Sequence, residues 1–75
     1  MVHNGRRISI KLKEHIEKRG KTQKDFAKEV GLRQATVSQL ANNKYDRVQL
    51  SHILIIMDAL NTEDFNEIFT IEDDE

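Results

Sequence analysis

Residues 22–40, TQKDFAKEVGLRQATVSQL, constrain the fold of this chain more than any other stretch, because two short helical periods meet there at a glycine. Small and apolar side chains recur at helical spacing on both sides of Gly31. Gly31 stands where a helix has to end in a left-handed residue, a conformation that costs glycine little. The pattern predicts two short helices that cross steeply over a tight turn, a helix-turn-helix.

Each helix of the pair has its own signals. Thr22 is predicted to cap the first helix, with its hydroxyl accepting from the amide of Asp25. Leu32 is predicted to fill the corner between the helices. The side chains expected to face inward are Phe26, Ala27, Val30, Val37, Leu40 and Ala41.

The outward face of the second helix lacks charge, although the neighbouring helical segments are rich in Lys and Glu. Amide side chains pair bidentately with the edge of adenine, serine bonds several base edges, and an alanine methyl contacts the thymine methyl. This face therefore predicts contacts with DNA bases, and the alternative is a polar surface helix that packs on nothing. The outward residues are Ala35, Ser38, Gln39 and Asn42, with Gln34 at the amino-terminal end.

Residues 20–44, GKTQKDFAKEVGLRQATVSQLANNK, resemble the DNA-binding helix-turn-helix of the Cro/CI-type, or XRE-type, transcriptional regulators. The similarity extends over about residues 8–70, because one helix is expected before the motif and two after it. The resemblance implies an all-α, compact five-helix domain of the lambda-repressor-like type, with the helix-turn-helix at about residues 22–42.

The resemblance also implies roles for particular residues. The loop after the second helix departs from the family pattern, which often has glycine and proline there. Asn43 tolerates a left-handed backbone and is expected to end the helix. The implied base-reading residues are Gln34, Ala35, Ser38 and Gln39. The implied phosphate-binding residues are Gln23, Arg33, Asn43 and Lys44.

The charges are strongly polarised along the chain. Twelve Lys and Arg against thirteen Asp and Glu leave a net charge of −1, which by itself argues against nucleic acid. All the cations lie between Arg6 and Arg47, where five acids oppose them, whereas residues 50–75 carry eight acids and no cation. The basic part is expected to face DNA phosphates, and the acidic part helps to fix the orientation.

Seventy-five residues hold one core, and the absence of proline favours helices. The expected organisation is a flexible basic arm over residues 1–7, the DNA-binding domain over residues 8–70, and a frayed acidic tail over residues 71–75.

The helix after the motif has more apolar residues than one buried stripe requires. Leu50, Ile53, Leu54, Met57 and Leu60 form the expected stripe, with Ile56 at its margin. Ile55 is expected on the side of the helix opposite to this stripe, and it predicts a homodimer seam. Pairing about a two-fold axis would place two recognition helices about 34 Å apart. A fully buried helix or one exposed isoleucine is the alternative. The predicted seam consists of Ile55, Phe65, Ile68, Phe69 and Ile71.

Catalysis, cofactors and metals find no support in the sequence. The chain has no cysteine, its three histidines lack metal-ligand spacing, and no nucleophile elbow or glycine-rich phosphate loop is present. No secretory signal is found, and the longest apolar run, residues 53–57, is too short for a bilayer. The expectation is a cytoplasmic protein that is not an enzyme and that has no membrane partner.

Two functions remain after these exclusions. The first is a sequence-specific regulator of transcription, a repressor that binds double-stranded DNA as a homodimer on a two-fold symmetric operator through the major groove. The second is a helix-turn-helix module that binds an antirepressor-like or antitoxin-like protein partner through its acidic C-terminal helices, with weak or lost DNA binding.

Overall fold

The computed structural model describes residues 5–73, which form five helices and two strands. Five helices agree with the expectation, but the fold is not purely α-helical, because a strand lies at each end of the described chain. In chain order the elements are β1 (Arg6–Ile10), α1 (Leu12–Lys18), α2 (Gln23–Val30), α3 (Gln34–Ala41), α4 (Leu50–Ala59), α5 (Phe65–Ile68) and β2 (Phe69–Asp73).

The two strands form an antiparallel sheet that corrects the all-α prediction. Ile8 lies opposite Ile71, and the register runs from Arg6 opposite Asp73 to Ile10 opposite Phe69. Neither strand stands out in the sequence, because each depends on a partner at the other end of the domain. A sequence window contains only one of the two strands, so the pairing is invisible to local patterns.

Opposite charges meet across this sheet. Arg7 Nη2 lies 3.2 Å from Glu72 Oε1, and Arg6 Nε lies 3.6 Å from Asp73 Oδ1. Because both pairs are exposed, each contributes about 0–1 kcal/mol. Within the predicted arm and tail, Arg6 and Arg7 thus belong to β1 and residues 71–73 to β2. Residues 1–4 and 74–75 lie outside the described part of the chain.

The turn between α2 and α3 has the predicted geometry. Thr22 Oγ1 accepts from the amide of Asp25 at 3.1 Å, and Gly31 has φ of 77°. The N–H groups of Gly31 and Leu32 both donate to the carbonyl oxygen of Ala27, at 2.9 and 3.0 Å. These bonds satisfy carbonyl and amide groups that a helix end otherwise leaves unpaired, so the turn is fixed by its own backbone.

The core lies between the four longer helices and one end of the sheet. The predicted inward residues of α2 and α3 are buried or, for Val30 and Leu32, partly buried against the core. The largest fully buried side chains are Phe26, Leu12, Ile16, Ile56, Ile68 and Val37. The core therefore packs α3 against α2 and against the rest of the domain.

The orientation of α4 differs from the predicted one. Ile56, expected at the margin of the stripe, is buried, whereas Leu50 is 81% and Leu54 63% exposed. A helix with apolar residues on nearly every side has no period that selects one face, so packing against the core decides its rotation. The buried side of α4 consists of Ile53, Ile56 and Met57, followed by Leu60.

No helix within residues 5–73 is long and apolar enough to cross a membrane.

Replacing Gly31 by valine is expected to lower the free energy of unfolding by about 1–3 kcal/mol, because a branched residue is strained at a positive φ. A Cβ atom at Gly31 would meet no atom within 4 Å, so the loss arises from backbone strain and not from a clash. Urea denaturation measures it. Gly31→Asn serves as the control and should lose less, since asparagine tolerates this conformation. Equal stability of the Val variant and the parent protein would contradict the assignment.

Candidate nucleic-acid interface

Helix α3 is held against the core by one side and turns its other side outward. Val37, Leu40 and Ala41 are buried, and their positions fix the rotation of the helix. Gln34, Ala35 and Gln39 are exposed, whereas Thr36 and Ser38 are partly buried. The structure therefore exposes three of the four predicted base-reading residues and leaves Ser38 partly buried.

The outward surface of α3 is polar without being charged. The helix has no acidic residue in its first turn and no basic residue in its last turn. Asn42, which directly follows it, donates from Nδ2 to the hydroxyl of Ser38 at 3.2 Å. That hydrogen bond orients the Ser38 hydroxyl, and the amide side chains of Gln34 and Gln39 are exposed.

Cations lie beside both ends of α3. Arg33 is its N-cap residue, with an extended backbone and an exposed side chain that makes no capping bond. Lys44 and Arg47 are exposed in the loop that follows the helix. Within residues 5–73 none of these three side chains forms an ion pair. Gln23, the first residue of α2, is half-buried.

Asn43 attaches the end of α3 to β1. Its φ of 57° confirms that it ends the helix in the left-handed region. Its Oδ1 accepts from the amide of Ile10 at 2.7 Å, and its Nδ2 donates to the carbonyl oxygen of Ile10 at 3.3 Å. Both polar atoms of the carboxamide are thus bonded to β1. These bonds show that Asn43 positions the end of α3, and its contact with phosphate stays a prediction.

Tyr45 reinforces the same attachment. Its hydroxyl lies 2.9 Å from Oδ1 of Asn43 and 3.2 Å from the carbonyl oxygen of Ile8. Burial raises the pKa of the Tyr45 hydroxyl above its usual value, and the charge of Arg7 offsets part of this rise. The hydroxyl therefore keeps its proton at neutral pH and remains a donor.

Two grooves lie beside Gln39, and residues that the sequence analysis did not assign to the site help to line them. One groove is formed by Thr36, Gln39, Leu40, Tyr45, Arg47, Val48, Gln49 and His52, and a second one by Gln39, Asn43, Lys44, Tyr45, Asp46 and Arg47. Arg47 lies in both grooves and joins Lys44 as a cation next to the outward face of α3. The charge of Arg47 and its position after α3 were the sequence signals that pointed to the interface. The path of the loop that carries Arg47 could not be predicted.

The residues of the predicted dimer seam differ in their exposure. Ile68 is fully buried in the core of its own chain, so it is not available to a partner, which corrects that prediction. The reason is that α5 continues directly into β2 and turns Ile68 inward. Phe69 is partly buried against the core, whereas Ile55, Phe65 and Ile71 are exposed.

Titratable side chains show no arrangement for metal binding: residues 5–73 contain no group of three or more His, Cys, Asp or Glu that could hold an ion.

A capped helix, a left-handed glycine and a second helix with an uncharged polar outer face form a helix-turn-helix, a motif that many proteins use to bind DNA. The profile of the Cro/C1-type HTH DNA-binding domain family matches residues 11–74, and the chain belongs to this family. The family match supports DNA as a partner of this chain.

A solved structure extends the similarity to nearly the whole chain. The crystal structure of the transcriptional regulator VanUg, Form II, superposes with a TM-score of 0.72 at 27% sequence identity. The match covers 97% of this chain and 95% of that one. Comparison with curated proteins gives no significant sequence match.

Replacing Asn43 by alanine is expected to lower the free energy of unfolding by about 1–3 kcal/mol, because the amide of Ile10 loses its partner in a partly buried place. Denaturant titration measures the loss.

Asn42→Ala is the matched control for this substitution. Asn42 is exposed and bonds only Ser38, so its loss should change stability by less than about 0.5 kcal/mol. Similar stabilities for the two variants would contradict the positioning role of Asn43.

Proposed function

We propose that this protein is a transcriptional repressor that reads a specific double-stranded DNA sequence in the major groove. The observation that carries the proposal is the outward face of α3, which is exposed, polar and uncharged between the cations Arg33 and Lys44. Uncharged amides and hydroxyls discriminate between base edges, whereas cations bind the uniform phosphate backbone. The arrangement therefore suits a helix that enters a groove with phosphates on both sides.

Base reading is assigned to four residues of α3. Gln34 and Gln39 are the two long amide side chains, and each is able to pair bidentately with adenine. Ala35 offers a methyl group to thymine, and Ser38 shares its hydroxyl with Asn42. Thr36 and the neighbouring groove are partly covered by the loop that follows α3.

Phosphate binding is assigned to residues around this face. Arg33 lies at the start of α3, Lys44 and Arg47 lie beyond its end, and Gln23 opens α2. Because the three cations make no ion pair within residues 5–73, binding to phosphates does not require an existing bond to break. The acidic residues beyond position 50 disfavour approach of DNA from their side.

Repression is the proposed effect because it requires only that the domain occupy its DNA site. A small domain blocks polymerase by occupying its site, whereas activation needs a dedicated contact with polymerase. A homodimer on a two-fold symmetric operator would engage two half-sites about one helical turn apart, which doubles the sequence that is read.

A protein-binding module is the second candidate function, and a specific surface favours it. Ile8, Leu50, Leu54, Phe65 and Ile71 are all 60% or more exposed, and exposed apolar patches mark interaction sites. The two candidates separate when bound sites are selected from a random oligonucleotide pool. Enrichment of one sequence supports the repressor, and its arrangement reports symmetry and half-site spacing. A pool without enrichment supports the protein-binding module.

Replacing Gln39 by alanine is expected to weaken binding to the selected operator by about 1–3 kcal/mol and to relax the preference at one base pair. The physical reason is the loss of a bidentate contact with a base edge. Competition binding with operators changed at single positions measures the effect. An equal loss of affinity for all sequences would move Gln39 to the phosphate-binding set.

Replacing Lys44 by alanine is expected to weaken binding to every DNA sequence and to lower the slope of log affinity against log salt by about one unit, because one fewer counterion is released. Lys13→Ala, which removes the same charge from an exposed position on α1, is the control and should leave the slope unchanged. A parent-like slope in the Lys44 variant would remove it from the interface.

A further inference from the structure

A cleft of about 410 Å³ lies where the turn between α2 and α3 approaches the start of α4. This α3–α4 cleft is lined by Gly31, Leu32, Arg33, Thr36, Gln49 and His52. Its polar side chains carry a guanidinium, a hydroxyl, a carboxamide and an imidazole, all of which can donate hydrogen bonds. Among residues 5–73 no carboxylate lines the cleft. This set of donors suits an anion.

Three of these donors have no bonding partner within residues 5–73. The side chains of Arg33 and Gln49 are exposed, and neither side chain caps the helix that follows it. The imidazole of His52 is partly exposed and takes part in no ion pair or hydrogen bond in the described part of the chain. His15 differs, because its Nε2 lies 2.9 Å from the carbonyl oxygen of Glu67. A ligand can therefore bind the three side chains without breaking an existing bond.

The α3–α4 cleft continues into the groove beside the proposed base-reading residues. Thr36, Gln49 and His52 also line this groove, together with Gln39 and Arg47. Thr36 and Gln39 are three residues apart on α3, so they are neighbours on the surface of the helix. A duplex whose base edges contact Gln39 brings its backbone to the flank of α3, because phosphates border each groove. The cleft therefore lies where a backbone phosphate is expected.

The charged groups that line these two grooves with His52 are cations. Arg33 lies in the cleft and Arg47 in the adjoining groove, and α2 contributes only its C-cap, Gly31. On α4 itself, the residues one helical turn from His52 are uncharged. Asp46 lines a third groove, which does not include His52. A phosphate bound in the cleft would favour the protonated form of the imidazole, because opposite charges then lie side by side.

We propose that the α3–α4 cleft binds a backbone phosphate of DNA and that His52 enters this contact in its protonated form, beside Arg33 and Gln49. DNA binding then takes up a proton from solvent at the imidazole, so the affinity for DNA falls as the pH rises. The inference rests on the proposed function because it requires a duplex against α3. It does not require base reading, since phosphates are the same in every sequence.

The salt dependence of DNA binding at two pH values tests the proposal. A random-sequence duplex is the probe, and histidine changes its charge between about pH 5 and about pH 8. One more cation in the contact steepens the slope of log affinity against log salt by about one unit, so the slope of the parent protein should be steeper at the lower pH. The affinity itself should be at least about tenfold higher there, as a hydrogen bond to a charged group predicts.

Variants at position 52 assign the effect to one side chain. His52→Gln keeps a donor without the charge, so it should lose the pH dependence of both the slope and the affinity. His52→Arg is charged at both pH values and should show the steeper slope at both. His15→Gln is the matched control, and it should behave like the parent protein because His15 bonds Glu67 and does not line the cleft. A His52→Gln variant with the pH dependence of the parent protein would overturn the proposal.

Nuclear magnetic resonance of the imidazole provides a readout that needs no variant to fold. The ring protons of His52 report its protonation directly during a pH titration. In the presence of the random-sequence duplex, His52 should keep its proton to a higher pH than in the free protein, because the phosphate stabilises the charged ring. Identical titrations of His52 with and without the duplex would refute the contact.

Selection of bound sites from a random oligonucleotide pool separates this inference from the proposed function. Enrichment of one sequence, together with a pH dependence that His52→Gln leaves unchanged, would support base reading and contradict the phosphate contact. A pH dependence that requires His52, in a protein that enriches no sequence, would support the contact and contradict sequence-specific binding. A protein that binds no duplex at either pH would contradict both.

Discussion

The backbone turn at Gly31 is the constraint on which the interface depends. Its left-handed conformation lets two successive N–H groups share the carbonyl of Ala27, and this sets the direction in which α3 leaves α2. Val37 can then enter the core beside Phe26, and the opposite side of α3 is left for solvent. If the chain continued as one helix, the polar residues of α3 would lie along that longer helix. They would then not project from the domain as a separate element that fits a DNA groove.

What could be predicted from the sequence was local. The cap at Thr22, the left-handed residues Gly31 and Asn43, and the inward side of α3 each follow from neighbours within one or two helical turns. The sheet could not be predicted, because Ile8 and Ile71 are strand residues only in each other's presence. The rotation of α4 could not be predicted either, because apolar residues lie on nearly every side of this helix. Only packing against the core determines that Ile56 is buried and Leu50 exposed.

The same distinction divides the candidate site. Gln34 and Gln39 could be assigned to the outward face from helical period alone, and their exposure agrees with that assignment. The bonds that Asn43 makes to Ile10 could not be predicted, because an asparagine after a helix has the same sequence context whether or not a distant backbone lies beside it. Only the three-dimensional structure places Ile10 there. Arg47 was missed for a related reason, since its side chain reaches the grooves through a loop without a regular period.

The attachment of α3 to β1 has a consequence for the order of folding. The α2–α3 turn closes over a few residues and forms early, because short loops lose little entropy on closure. Strand β1 is synthesised before every helix, but it can form the sheet only with β2, which is synthesised after all the helices. We therefore expect that, during synthesis, Asn43 finds no stable strand to bond until β2 is complete, so the C-terminal end of α3 becomes fixed last.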